Sequence, residues 1–269
     1  MVKINIFLNK NVHENASIYF DKAKKAKKKI DGAKIAIENT KAKLKKLEKK
    51  GIKKDNTNVL ILKNTKKEWY EKFRWFYSSE GFLVIGGRDA TTNEILIKKY
   101  TDSDDIVFHT DMSGSPFFVI KKKINIFENE TIGEETLQET ANATASFSKA
   151  WKLGYLTLNV FYVNPNQVTK EANQGEYLQK GSFMIKGKTT YIKPTIEIAI
   201  CIFNEKVMCG PTNSIKKHSK NYIILIQGDK KPSDIAKEIN KKIKINDLDE
   251  IIRVLPSGFF KIKEYVINN

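Results

Sequence analysis

The chain has 269 residues, 41% of them hydrophobic and 10% aromatic, an ordinary globular composition that excludes disorder throughout and allows one or two domains with a substantial core. Lysine and arginine total 48 against 31 acidic residues, a formal charge of +17 that points to polyanionic partners. No apolar run is long enough to cross a membrane, the first residues lack a signal-peptide pattern, and two cysteines exclude both a disulfide framework and a cysteine-built zinc site, so a cytoplasmic location is expected.

Asn11 and Glu14 stand three apart, as in a capping box, and Gly51 follows Lys49-Lys50 as a left-handed cap would; a helix is predicted over 13–50. Along it Val12, Ala16, Tyr19, Ala23, Ala26, Ile30, Ala33, Ile37, Thr40, Leu44 and Leu47 recur in steps of four and three, the seam of a coiled-coil strand. Tyr19, Ala23, Ala26, Ile30, Ala33, Ile37, Leu44 and Leu47 are the expected partner interface. Residues 21–54 hold fifteen lysines and four acids, so this segment carries eleven of the seventeen surplus charges. The shift in composition predicts two domains, a basic coiled-coil arm over 1–68 and a nearly balanced body over 69–269. A seam this narrow needs a second helix, and 51–68 is too short and polar to return along a rod of roughly 55 Å. The partner strand is therefore expected from another molecule or from a segment that this chain lacks.

Residues 69–77 are dense in aromatics and are expected to form core, docking the arm on the body. A strand at 82–85 runs into Gly86-Gly87 and a helix at 88–100, which reads either as an anion nest of free backbone amides or as a tight turn capped by Asp89. Further strands are predicted at 105–109, 116–121, 156–163, 182–186, 188–192, 197–203, 206–208 and 222–227, with helices at 133–152, 232–244 and 247–254. The fold class is α+β: a long N-terminal coiled-coil helix, then a mixed, largely antiparallel sheet domain with flanking helices.

His109 and Asp111 at a strand end are the one pairing with acid/base or metal potential, but no further ligand set accompanies them. A structural or RNA-contacting role is expected; no catalytic residue, metal or cofactor is assigned. Cys201 and Cys209 fall on neighbouring strands as small apolar filling. In 162–188, alternation places Phe183 and Ile185 on one face and Ser182, Lys186 and Lys188 on the other, around a turn at Gly187. That polar face suits phosphate and base contacts, with Asn164 and Gln167 as hydrogen-bonding groups and tyrosines for stacking; an ordinary solvated hairpin is the alternative.

Residues 69–76, Gly86-Gly87-Arg88-Asp89-Ala90 with Asn93-Glu94, His109-x-Asp111-x-x-Gly114, Gln167-Val168-x-Lys170, Gly175-Glu176-Tyr177-Leu178-x-x-Gly181-Ser182-Phe183-Met184-Ile185-x-Gly187 and Gly210-Pro211 occur in this order. Together they resemble the NFACT-R domain of the NFACT proteins over about 69–255, and the arm resembles the end of their middle coiled coil. The resemblance implies an RNA-binding domain in a factor of ribosome-associated quality control. Such a factor binds large subunits obstructed by peptidyl-tRNA and supports tRNA recruitment for C-terminal tailing, without being an enzyme. Implied partners are the large ribosomal subunit, rRNA and tRNA, with no membrane. The residues expected to contact RNA are Arg88, Asp89, Asn93, Lys98, His109, Asp111, Gln167, Lys170, Tyr177, Lys186 and Lys188. Two departures stand out: Ser113 replaces a second His common in relatives, and the family's N-terminal domain, helix-hairpin-helix region and first coiled-coil helix are expected on a separate polypeptide, with homodimerisation through the seam, or a chain that is a fragment of a longer protein, as the alternatives. The same residues also admit a stand-alone RNA-binding accessory, or enzyme, of tRNA modification, or an adaptor that binds protein alone.

Overall fold

The computed structural model describes residues 5–49, 67–171, 179–243 and 247–267. The chain divides into two compact units, 1–57 and 58–269.

In the first unit the expected helix forms as α1, Val12–Lys49. Its start is the predicted capping box: Glu14 N donates to Asn11 Oδ1 and Asn11 N to Glu14 Oε2, both at 2.9 Å. Asn15 completes the entry. Its Oδ1 accepts from Phe7 N at 2.9 Å, and its Nδ2 donates to the carbonyls of Phe7, Lys10 and Asn11 at 3.0 to 3.1 Å. One amide thus fixes the whole approach of residues 7–11 to the helix. On the seam Ile30 and Ile37 are each 54% exposed, apolar surface that a second helix would cover. The side chains of Leu44 and Leu47, and the Gly51 cap, lie outside the described residues.

In the second unit every described strand pairing is antiparallel. After a 3-10 turn at Trp69–Lys72 come β1 (Arg74–Tyr77), β2 (Phe82–Gly86), α2 (Ala90–Lys99), β3 (Ile106–Thr110), β4 (Phe118–Asn125), α3 (Glu134–Ser146), α4 (Lys149–Leu153) and β5 (Val160–Val163). Then follow β6 (Val168–Thr169), β7 (Met184–Ile185), β8 (Thr190–Ile192), β9 (Ile198–Phe203), β10 (Lys206–Gly210), α5 (Thr212–His218), β11 (Tyr222–Lys230), α6 (Pro232–Ile243), α7 (Leu248–Val254) and β12 (Phe260–Val266). One sheet runs β1-β2-β4-β3-β5-β8, a second runs β10-β9-β11-β12, and β6-β7 is a small ribbon. β2 is buried along its whole length, because both faces of the larger sheet are covered at this strand. Phe76, Phe82, Phe108, Phe118 and Trp151 are all essentially inaccessible, each stabilising the body by roughly 2–3 kcal/mol through burial.

The α+β class stands, with differences of detail that have physical causes. Residues 69–77, read as a docking segment, form a turn and the edge strand β1, in register with β2 from Arg74↔Gly86 to Tyr77↔Leu83. The single helix predicted at 133–152 is two, because Ser148 stops the first and caps the second, its Oγ accepting from Ala150 N at 3.1 Å. The hairpin predicted across Gly187 does not form: β7 pairs with β6, while β8 joins the larger sheet beside β5. α5, β6 and β12 were not anticipated. Cys201 and Cys209 lie on β9 and β10, buried as expected, with both thiols pushed up by burial.

α3 carries a buried carboxyl whose titration is testable. Glu139 is 1% exposed; its Oε2 accepts from Ser79 N at 2.8 Å and its Oε1 has no partner. Burial, with Glu135 and Glu80 nearby, raises its pKa to about 7. Between the ordinary carboxylate range and about pH 7 the folded chain holds a proton that the unfolded chain has released, so stability falls as pH rises through this window. The drop is at most about 3 kcal/mol. Denaturant melts at pH 5 and pH 8 should show it, and Glu139→Gln should flatten it; an unchanged slope in that variant removes the assignment.

A basic cleft as candidate nucleic-acid interface

The turn after β2 is built tightly. Gly87 N donates to Phe117 O at 3.0 Å, and a Cβ at Gly87 would stand 1.8 Å from Asn93 Oδ1, so only glycine fits. Asn93, buried, accepts from Phe117 N at 3.2 Å and ties α2 to the loop before β4. Thr92 Oγ1 accepts from both Arg88 N (2.8 Å) and Asp89 N (2.9 Å), while Asp89 Oδ1 accepts from Thr92 N (2.8 Å). The amides of residues 87, 88 and 89 are therefore all engaged internally. The anion-nest reading fails, and the turn is the tight one capped by Asp89. The hydrogen bonds of Thr92 and then of the Thr91 amide, followed by the charge of Lys180, hold the Asp89 carboxyl below its ordinary range.

Arg88 is a clamp. Its Nε and two terminal nitrogens donate to the carbonyls of Lys72 (3.1 Å), Arg253 (2.6 Å) and Phe73 (2.8 Å), joining the segment before β1 to the end of α7. Burial, and then the neighbouring charges of Arg74 and Arg253, lower its pKa to about 10, which leaves it cationic at neutral pH. Arg74 on β1 donates to Leu255 O at 3.2 Å and lies 4.5 Å over the Phe147 ring, while its buried Nε has no hydrogen-bond partner. Burial lowers it to about 10 as well.

At the end of β3, His109 stacks on Phe117 at 4.1 Å and its Nε2 lies 3.1 Å from Ser115 O. A carbonyl only accepts, so Nε2 carries the proton, and burial holds the ring's pKa below its ordinary value. Asp111 does not join it: its carboxylate accepts from Tyr191 Oη at 3.2 Å beside Asn159. The two residues form no acid/base dyad. Among the described residues no three His, Cys, Asp or Glu side chains are grouped to hold a metal ion.

The loop 179–183 docks on the first turn of α2. Gly181 N donates to Glu94 Oε2 at 3.3 Å, and a Cβ on Gly181 would lie 2.6 Å from Ala90 Cα. Lys170 acts as a staple, its Nζ donating to Gln179 O (3.0 Å) and Ser182 O (2.8 Å). Gln167 donates to the carbonyls of Lys186 and Lys188, both at 2.9 Å, and so shapes the bend at Gly187. Lys98 is paired with Glu94 at 2.7 Å and Lys186 with Glu171 at 3.0 Å; Lys188 is exposed, and Tyr177 lies outside the described residues.

These pieces close around one cleft of about 690 Å³, lined among others by Gly87, Arg88, Asp89, Asn93, His109, Gly114, Lys180, Gly181 and Phe183. Three motifs separated by many residues in sequence thus share one concave surface. Arg88, Asp89, Asn93 and His109 are brought together there, whereas Lys98, Asp111, Gln167, Lys170, Lys186 and Lys188 are not among its lining residues. Arg74, Lys149, Lys152 and Lys180 line it and were not anticipated. The charge of Lys149 and Lys152, one helical turn apart behind the Ser148 cap, was the available signal. Gly114 leaves room for Lys149, whose Cε and Nζ would lie 2.7 Å from a Cβ there. Five cations and one carboxylate line the cleft, and among the described residues none of the five forms an ion pair. Chemically, this is a site for binding an anion by charge and shape.

A cationic cleft on an antiparallel α+β body is the frame of a nucleic-acid-binding domain, and the family described as NFACT protein RNA binding domain matches residues 72–187. The archaeal Rqc2 homolog aRqcH of Methanocaldococcus jannaschii is 41% identical over 213 residues, 76% of this chain and 31% of that protein. The ribosome quality control complex subunit NEMF of Homo sapiens is 38% identical over 187 residues, 68% of this chain and 16% of that protein. Ribosome quality control complex subunit 2 of Schizosaccharomyces pombe is 35% identical over 174 residues, 65% of this chain and 16% of that protein. The chain belongs to the NFACT family and corresponds to the C-terminal region of its members. It spans less than a third of the length of these relatives. No described helix is long and apolar enough to cross a membrane.

Proposed function

We propose that this chain is an RNA-binding component of ribosome quality control in the cytoplasm, that it binds rather than catalyses, and that the cleft between α2, α4 and the 179–183 loop is its principal RNA contact. The observation that carries this reading is the convergence of three motifs on a surface with five cations, none of them in an ion pair among the described residues. The large ribosomal subunit, with rRNA and tRNA, is the partner. The whole factor acts on subunits obstructed by peptidyl-tRNA and supports tRNA recruitment for tailing. The body begins near residue 69, and the seam of α1 pairs with a second coiled-coil helix, in trans or from a second copy, over Tyr19 to Ile37 and on through Leu44 and Leu47. Of the residues read from the sequence, Arg88, Asp89, Asn93 and His109 shape the cleft, and Lys186 and Lys188 serve as outlying phosphate contacts. Lys98, Asp111, Gln167 and Lys170 hold the surrounding structure.

Gradient sedimentation of the full chain with ribosomal subunits should place it with large subunits at low salt, together with any polypeptide that supplies the second helix. The association constant should fall with salt at a slope of roughly −0.7 to −0.9 per phosphate neutralised. Recovery at the top of the gradient at every salt concentration, with tRNA bound instead, would favour a stand-alone RNA accessory.

A further inference from the structure

The cleft has an apolar wall as well as charge. Phe183, partly exposed, stands edge-on to Phe117 with ring centroids 5.5 Å apart and has Lys170 Nζ 4.9 Å from its own centroid, and Pro116 and Phe147 continue the lining. The cations are arranged at different depths. Arg74 and Arg88 are largely buried, whereas Lys149, Lys152 and Lys180 are exposed on two different elements. A volume of about 690 Å³ is that of a pocket enclosing a small molecule. A regular duplex carries its phosphates on the outside of a rod with its bases stacked within, so it can offer such a hollow only phosphate oxygens and would leave the apolar wall uncovered. An unpaired nucleotide fits both halves of the lining: its phosphate meets the lysines and its base covers Phe183.

We propose that the cleft receives a single unpaired nucleotide of RNA, phosphate toward Lys149, Lys152 and Lys180 and base against Phe183, and so selects bulged or single-stranded RNA over continuous duplex. This rests on the RNA-binding reading above and specifies the class of RNA that the site takes. The test uses the full chain and two hairpin RNAs, one with a perfect stem and one with a single bulged uridine in the same stem, titrated at fixed salt. The bulged RNA should bind at least about fivefold more tightly, and Phe183→Ala should bring that ratio close to one. Equal affinities in the wild-type chain, or a ratio that survives in Phe183→Ala, would overturn the proposal while leaving RNA binding in place. Failure of the wild-type chain to bind either RNA at low salt would instead overturn the RNA-binding reading itself.

Discussion

Replacing Arg88 by alanine is expected to destabilise the body by about 3–4 kcal/mol, the largest single effect that the cleft predicts for stability. In the sequence Arg88 looks like an RNA contact, since it sits in a glycine turn ahead of a helix. In the fold its guanidinium serves three carbonyls from two distant segments, Lys72 and Phe73 before β1 and Arg253 at the end of α7. Removing it leaves all three acceptors without this donor, a loss only partly offset by relief of the repulsion from Arg74 and Arg253. For a body of this size the melting temperature should fall by roughly 6–16 °C. Arg88→Lys retains the charge and loses the planar fork, so it should recover little of the loss. A lysine variant as stable as the wild-type chain in a denaturant titration would show that charge alone matters at this position and that the clamp is misassigned.

The second large effect concerns binding and not stability. Lys149→Ala combined with Lys152→Ala should leave the melting temperature nearly unchanged, because both side chains are exposed and unpaired by any carboxylate among the described residues. Two lost phosphate contacts amount to about 2 kcal/mol of affinity, roughly a 30-fold weaker dissociation constant. The slope of log K against log salt should shrink by about 1.4–1.8, the signature of two fewer released counterions. Measuring both quantities on one RNA separates a true contact from a distant electrostatic influence, which would lower affinity without removing discrete steps from the slope. An unchanged slope would move the RNA contact away from α4.

Arg88 and Lys149 also show where reading the sequence succeeds and where it stops. The α1 capping box was legible because Asn11 and Glu14 are three residues apart and interact locally. The apolar runs of β2, β9 and β11 were legible because strands buried on both faces are continuous blocks of Val, Ile and Leu. β1 and β12 were not. Arg74-Trp75-Phe76-Tyr77 has no alternation because large rings from it are buried on both faces, and Phe260–Val266 mixes three charged residues into an edge strand. The hairpin across Gly187 failed for a related reason. A turn residue says where a chain bends, and the partner each arm finds, β6 for β7 and β5 for β8, depends on contacts far away in sequence.

By itself the sequence determined the basic arm, the capped helix with its heptad seam, the α+β class and the set of motifs that mark the family. All of these rest on spacing within a few residues or on the order of segments, and both are properties of a one-dimensional string. Only the tertiary structure decided what the motif residues do. It spent the amides of the glycine turn on Thr92 and Phe117, turned Arg88 and Lys170 into staples, and gave the Asp111 carboxylate a hydrogen bond from Tyr191 and not from His109. It also placed Arg74, Lys149, Lys152 and Lys180 around one hollow. The reason is that a side chain's donors and charge are shared among whatever backbone and ring surfaces the fold brings within a few ångströms, and those neighbours range from the next helical turn, as with Thr92, to distant segments, as with Arg253 beside Arg88.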